Sequence, residues 1–125
     1  MGADQIKIVC GGGVGSAVGT LSQMQFSDEE IRAVVEEATL AETYVMAHVY
    51  SAEGIKRLAR LGVRTIEHGN LLDEAGAKLM AEAGAFLVPN LVAYRSISKY
   101  GRAQGYPLAG LAKLDQIFNA GARSL

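Results

Sequence analysis

The sequence has no tryptophan, two prolines, a single cysteine at Cys10 and no long apolar run. One cysteine cannot form an internal disulfide, which excludes a disulfide-stabilised secreted scaffold. No apolar stretch approaches the roughly 20 residues of a membrane-spanning helix, and no basic and apolar leader pattern follows Met1. We therefore expect a soluble chain with no membrane partner, located in the cytoplasm.

An excess of one charge is absent as well. The 12 Lys and Arg residues nearly balance the 13 Asp and Glu residues, and the net charge is −1. Without a cluster of basic side chains, nothing attracts a phosphate backbone, so no nucleic-acid partner is expected. Half of the residues are hydrophobic and a fifth are charged, a composition typical of folded proteins. The length predicts one domain over residues 1–125.

The chain alternates short apolar runs with amphipathic stretches, a pattern typical of βα units around a parallel sheet. Helix-capping residues and terminal glycines mark the boundaries of the amphipathic stretches. Strands are predicted at residues 5–10, 43–48, 63–68 and 85–88. Helices are predicted at residues 28–41, between Ser51 and Gly62, and between Asp73 and Gly84, followed by a polar loop and a last helix over 107–125.

The last three predicted strands begin about 20 residues apart, close to the shortest length for a strand, a helix and two tight loops. Such compact repetition favours part of a (β/α)₈ barrel, in which eight strands normally need about 250 residues. Four strands alone would expose two sheet edges and an apolar inner face, so we expect a homo-oligomer. A complete, small open α/β sheet is the alternative at this length.

His48 and His68, the only histidines, each fall on the last residue of a predicted strand. Neighbouring parallel strands lie about 4.8 Å apart, so the two imidazoles should lie side by side at the carboxyl edge of the sheet. Active sites of parallel α/β folds assemble at that edge. The pair could share a metal ion, or each histidine could simply end its strand with a bond to the backbone.

Lys7 interrupts an apolar run that a parallel sheet would bury on both faces. Burial lowers the pKa of a lysine, and a neutral amine can take up carbon dioxide to become a metal-bridging carbamate. Two plainer explanations are an edge strand that leaves the amine in solvent and an internal ion pair with Glu67.

Glycines between Gly11 and Gly19 follow the first strand, as in proteins that bind phosphates on a glycine-rich loop. The match is imperfect, because the third glycine is one residue late and the next helix begins only near Asp28. A flexible loop at the strand exit that needs positive φ angles is the interpretation that the sequence favours. Cys10 has no activating neighbour in sequence, so we assign it a buried apolar role.

Four sequence segments are similar to the second half of a barrel of the amidohydrolase superfamily, in the branch of Xaa-Pro dipeptidases and imidazolonepropionase-like enzymes. The segments are GADQIKI, YVMAHVY, VRTIEHGN and GAFLVPNLVAY. The resemblance covers nearly the whole chain. It implies an α/β fold, a partial TIM (β/α)₈ barrel in which about four βα units, strands four to seven, form a half-barrel.

The resemblance also implies residue roles. Lys7 would be the carboxylated lysine that bridges two zinc ions, and His48 and His68 would hold one of them. Tyr50 and Tyr94 would contact the substrate, a small amide or dipeptide such as an N-acyl amino acid or a Xaa-Pro dipeptide.

Two parts of the family's site, an H-x-H pair and a catalytic aspartate, have no counterpart in this sequence. No catalytic base is therefore assigned, and the isolated chain should be inactive. Two other readings remain: a non-catalytic half-barrel that self-associates, and a module that binds a phosphate ligand on its glycine-rich loop.

Overall fold

The computed structural model describes residues 2–118 and 120–121, which form four strands and five helices. In chain order the elements are β1 (Ile6–Val9), α1 (Asp28–Leu40), β2 (Val45–Ser51), α2 (Ala52–Arg60), β3 (Thr65–Leu71), α3 (Glu74–Glu82), β4 (Phe86–Val88), α4 (Leu91–Tyr100) and α5 (Leu108–Phe118). All neighbouring strands are parallel, and their order in the sheet is β1-β2-β3-β4. The predicted four-stranded parallel sheet is confirmed.

The first three helices begin at the residues that the sequence marks as caps. Ser27 and Glu30 form a reciprocal capping box at α1, while Ser51 and Asp73 each accept a hydrogen bond from the third backbone N–H of the following helix. These bonds satisfy backbone donors that the first turn of a helix leaves without partners. The local sequence therefore fixes where α1, α2 and α3 start.

The main core lies between one face of the sheet and helices α1, α2 and α3. Alternate residues of β2 enter it, and Val45, Ala47 and Val49 are buried. Ile55 and Leu58 of α2 cover them and are also buried. Because side chains alternate across a strand, the residues between the core positions point to the opposite face.

Within the described part of the chain, that opposite face has no helix layer over its two edge strands. The register aligns Val9 of β1, His48 of β2 and, through Glu67 of β3, Val88 of β4 in one row. Val9 is 46% exposed and Phe86, two residues before Val88, is 57% exposed. The expected apolar inner face is therefore open at both edges of the sheet.

A second, smaller core lies beyond the carboxyl ends of the strands, where α4 and α5 pack. It contains Tyr50, Tyr94, Leu114 and Ile117. The prediction of a polar loop after β4 was wrong, because residues 91–100 form α4. Leucine, tyrosine and isoleucine recur there at intervals of three and pack into this core, a helical spacing that the intervening polar residues conceal.

Helix α5 occupies residues 108–118 of the last predicted helix, and residues 119 and 122–125 lie outside the described residues. None of the helices in the described ranges is long and apolar enough to cross a membrane.

Candidate metal centre

The two histidines are neighbours in space. The ring centroids of His48 and His68 are 4.6 Å apart, and the ring planes meet at 74°, so the predicted pairing of the imidazoles is confirmed. Their position within the strands differs from the prediction. Strands β2 and β3 each continue three residues beyond the histidine, to Ser51 and Leu71, because strand pairing extends past the apolar run that defined the predicted strand.

The backbone of β3 turns His68 toward its partner. The regular register pairs His48 with Glu67, and it pairs His68 with Val49, whose side chain points into the helix-covered core. A regular strand would therefore direct His68 away from His48. Instead, His68 and Gly69 both have positive φ angles, +76° and +55°, and the register shifts between Val49 and Ser51. This irregularity places the imidazole beside His48.

A backbone carbonyl fixes the tautomer of His48. Nε2 of His48 lies 3.4 Å from the carbonyl oxygen of Gly12. Since a carbonyl can only accept, Nε2 carries the hydrogen and donates it. Nδ1 of a neutral His48 is then unprotonated and available to a metal.

Tyr94 has the corresponding role at His68. The hydroxyl of Tyr94 is hydrogen-bonded to Nδ1 of His68 and also donates to the hydroxyl of Tyr50 at 3.4 Å. Because the hydroxyl's single hydrogen goes to Tyr50, the network assigns Nδ1–H of His68 as the donor to Tyr94. Nε2 of His68 is then the unprotonated nitrogen.

Burial keeps both imidazoles neutral. Desolvation lowers the pKa of His68 to about 4, with smaller contributions from His48 and from the positive charge of Lys7. Desolvation also lowers the pKa of His48. The hydrogen bond to Gly12 opposes this shift by raising the pKa, and the charge of Lys7 lowers it further. Near neutral pH each ring therefore has one nitrogen lone pair that needs no proton removed before it binds a cation.

Lys7 lies in β1, opposite Met46 in the register, and is exposed. Of the explanations that the sequence left open, the edge strand that leaves the amine in solvent is confirmed, because β1 lies at the edge of the sheet and Lys7 is exposed. The alternative of a buried lysine is wrong for this chain. Within the described ranges Lys7 forms no ion pair with Glu67, which instead accepts a hydrogen bond from Thr65 at 3.0 Å. The lysine is nevertheless close enough for its charge to act on both histidines.

Tyr50 and Tyr94 are almost completely buried, with 1% and 2% of their surfaces exposed. The ring of Tyr50 stacks on His68 at a centroid distance of 5.2 Å. Burial is the main cause that raises the pKa of both phenols, which therefore stay protonated at neutral pH. In this structure both tyrosines contact His68: Tyr50 stacks on its ring, and Tyr94 is hydrogen-bonded to its Nδ1.

The glycine-rich segment forms a loop over His48. Together with Val9 and His48 it lines a cavity of about 580 Å³. Only Gly19 of these glycines has a positive φ angle, while Gly12 is needed for close approach, because a Cβ there would lie 2.0 Å from the carbonyl oxygen of Thr20. The need for positive φ angles therefore explains only part of the glycine content of this loop.

The loop directs carbonyl oxygens toward its neighbours. Carbonyls of Gly12, Gly13, Ser16 and Val18 accept from His48 and Lys113. An anion needs N–H donors, and α1 begins only at Asp28. The geometry therefore favours the histidine pair over a phosphate as the basis of function.

Sequence reasoning missed Lys113, whose amine bonds to this loop. A signal was present, because Gly110, Lys113, Leu114 and Ile117 follow the spacing of one helix face and all four are buried. A lysine on an apolar face is a candidate for a specific buried partner.

Among residues 2–118 and 120–121, no group of three or more His, Cys, Asp or Glu side chains could hold a metal ion. Cys10 is fully buried, and desolvation raises the pKa of its thiol to about 11, in agreement with its assigned apolar role. The donors present are therefore the two imidazoles, with Lys7 beside them.

Comparison with known proteins gives a consistent result. The model of the amidohydrolase family matches residues 2–124. The ochratoxinase of Aspergillus niger is 38% identical over 87 residues, which cover 70% of this chain and 18% of that protein.

Solved structures agree more closely. A prolidase complexed with N-methylphosphonate-L-proline is 52% identical, with a TM-score of 0.95 over 98% of this chain and 30% of that one. A Xaa-Pro dipeptidase with bound methionine in its active site is 33% identical, with a TM-score of 0.85 and the same coverage. The chain spans less than a third of the length of each of these relatives, and its fold is that part of their barrel.

Proposed function

Because this chain belongs to the amidohydrolase family, we propose that it provides part of a metal-dependent site for the hydrolysis of amide or peptide bonds. His48 and His68 are the proposed ligands, through Nδ1 and Nε2 respectively. A divalent metal, which we propose to be zinc, supplies a water of lowered pKa and polarises the scissile carbonyl when it is bound. The neutral, adjacent imidazole pair is the observation that carries this proposal.

The donor chemistry fits zinc, which accepts imidazole nitrogen readily. Each ring also has a hydrogen-bond partner on its other nitrogen, Gly12 for His48 and Tyr94 for His68. Such partners are typical of metal-binding histidines, because they fix the tautomer and the ring orientation.

Lys7 is the proposed third ligand, as a carbamate. As an ammonium it repels positive charge, and its charge lowers the pKa of both histidines. Loss of one proton from the ammonium gives the neutral amine. Addition of carbon dioxide to it, with release of a second proton, would turn this cation into an anionic carbamate, so the same position would attract a metal. The exposed position of Lys7 leaves its amine accessible to dissolved carbon dioxide.

For the substrate we propose an N-acyl amino acid or a dipeptide, including the Xaa-Pro type. The support comes from relatives: a prolidase of the same local fold was solved with N-methylphosphonate-L-proline. We propose further that the 125-residue chain by itself is inactive, because its two histidines supply no H-x-H pair and, among residues 2–118 and 120–121, no aspartate joins them in a metal-binding group.

Zinc analysis tests the ligands. The protein is loaded with zinc in bicarbonate buffer, dialysed, and analysed for metal as wild type, His48→Ala, His68→Ala and Lys7→Ala. We expect about one zinc per chain in the wild type and a loss in all three variants. Lys99→Ala, which changes an exposed lysine of α4, is the matched control and should retain zinc.

Equal zinc in every variant, or none in the wild type, would contradict the metal site. Hydrolysis of N-acyl amino acids or dipeptides by the zinc-loaded chain, at rates comparable with intact relatives, would contradict its proposed inactivity.

A second candidate function is that of a half-barrel that associates with another copy of itself. The observation that favours it is the open sheet face, on which Val9, Phe86 and Val88 are exposed. Burial of these side chains against a second copy would remove apolar surface from water.

A further inference from the structure

Helix α5 carries a buried lysine that is bonded to the glycine-rich loop. Lys113 is 9% exposed, and its Nζ donates to the carbonyl oxygens of Ser16 at 2.8 Å, Val18 at 3.1 Å and Gly13 at 3.4 Å. An ammonium has three hydrogens, so these three acceptors use its full donor capacity. In the described part of the chain Lys113 forms no ion pair with a carboxylate, and its bonds to the loop carbonyls offset the cost of its burial.

The helix also touches the loop backbone directly. A Cβ at Gly110 would lie 2.2 Å from the carbonyl oxygen of Val14, so only glycine allows this approach. Gly110 and Lys113 are three residues apart and therefore on the same face of α5. The helix thus holds residues 13–18 at two neighbouring points.

The same loop contacts His48 on its other side. The carbonyl of Gly12 accepts from Nε2 of His48 at 3.4 Å, and a Cβ at Gly13 would lie 3.8 Å from the imidazole. Gly13 therefore adjoins both the amine of Lys113 and the ring of His48. A displacement of the loop from α5 would move the carbonyl that fixes the tautomer of His48.

We propose that Lys113 is a positioning residue, which holds the glycine-rich loop so that Gly12 keeps His48 oriented with Nδ1 unprotonated. Lys113 does not touch His48 and acts only through the loop. The loop depends on this bond because glycines at 11, 12, 13 and 15 give it few conformational restraints of its own. The inference rests on the proposed function, in which His48 binds the metal.

Solvent exchange of the imidazole protons tests the proposal in metal-free protein. With ¹⁵N-labelled histidine, NMR measures exchange of the Nε2 proton of His48 and of the Nδ1 proton of His68. In Lys113→Met we expect the His48 proton to exchange at least about 10-fold faster than in the wild type, while the His68 proton, bonded to Tyr94, is unchanged. Lys78→Met, which changes an exposed lysine of α3, should change neither.

Tyr94→Phe is the reciprocal control, and it should accelerate exchange at His68 and not at His48. Zinc affinity of Lys113→Met should fall about 10-fold to 100-fold, the range found when a ligand's supporting bond is removed. Should Lys113→Met fail to fold, Lys113→Gln, which keeps two donor hydrogens, should show the same selective acceleration to a smaller degree.

Unchanged exchange at His48 in a folded Lys113 variant would overturn the proposal. Equal acceleration at both histidines would also overturn it, because that result indicates general loosening. Absence of zinc binding in the wild type would instead contradict the proposed function, and the exchange measurement would still decide the role of Lys113.

Discussion

His68 combines three properties that are rarely found in one residue. Its φ angle is +76°, it is more than half-buried, and desolvation lowers its pKa to about 4. A positive φ at a residue other than glycine costs free energy, and such residues concentrate at functional sites. The bond to Tyr94 and the stacking on Tyr50 hold the imidazole in this conformation.

The lowered pKa of His68 predicts a pH-dependent stability. In the unfolded chain His68 takes up a proton near pH 6.5, whereas in the folded chain it does so only near pH 4. Between these values the unfolded state binds more protons, so the free energy of unfolding falls as the pH decreases from 6.5 to 4. At 1.36 kcal/mol per pKa unit this shift sets an upper limit of about 3 kcal/mol. Because the ring is partly exposed and solvent screens it, the expected loss attributable to His68 is about 2 kcal/mol. Urea denaturation at pH values from 4 to 7.5 measures it.

The matched variant is His68→Gln, which cannot take up this proton. The difference in unfolding free energy between wild type and variant should narrow as the pH falls from 6.5 to 4. A constant difference across this range would show that His68 titrates alike in both states and that the pair is not desolvated.

At the scale of elements, β3 shows how an irregular strand builds the site. Gly69 has a φ of +55°, and a Cβ at this position would lie 2.4 Å from Cδ1 of Leu87 in β4. A side chain here would be strained by the left-handed conformation, and the end of the Leu87 side chain would have to move to admit it. Both effects follow from the turn that brings His68 beside His48.

Gly69→Ala should destabilise the protein by about 1–3 kcal/mol, because alanine at a positive φ is strained and its methyl group meets Leu87. Urea denaturation near neutral pH is the measurement. Gly2→Ala is the control, since nothing lies within 4 Å of a Cβ there, and it should leave stability unchanged. An unchanged midpoint in Gly69→Ala would show that β3 can regain regular geometry without cost.

Most elements could be predicted because their signals are local. The capping box at Ser27 and the glycines at 62 and 84 act within a few residues, and they mark the ends of elements in the structure. The amphipathic helix α4 was missed because its apolar residues are spaced among polar ones and its start, Asn90, has no side-chain capping bond.

The site could be predicted only in part. Adjacent strands bring His48 and His68 together, and strand order follows from the chain. The turn at His68, the carbonyl of Gly12 and the amine of Lys113 depend on contacts between segments up to 100 residues apart. No local pattern in the sequence contains that information.

At the scale of the whole molecule, the two faces of the sheet differ in how far they are covered. Helices α1, α2 and α3 cover the other face, while β1 and β4 are the edges of the four-stranded sheet. An exposed strand edge beside exposed apolar side chains is a template for association. The similar prolidase structure is larger. This chain covers 30% of it, so the prolidase has further residues beyond the matched part.

The open face predicts that the 125-residue chain self-associates. Sedimentation velocity at increasing micromolar concentrations should show dimers or larger species, because burial of Val9 and Phe86 stabilises contact by about 25 cal/mol per Å² of apolar surface. The double variant Val9→Lys, Phe86→Lys should shift the chain to monomer, since two ammonium groups would have to be desolvated at the contact. Leu40→Lys, at an exposed apolar residue at the end of α1, is the control and should associate like the wild type. A wild-type chain that stays monomeric at every concentration, or a double variant that associates equally well, would show that the open face is not the contact surface.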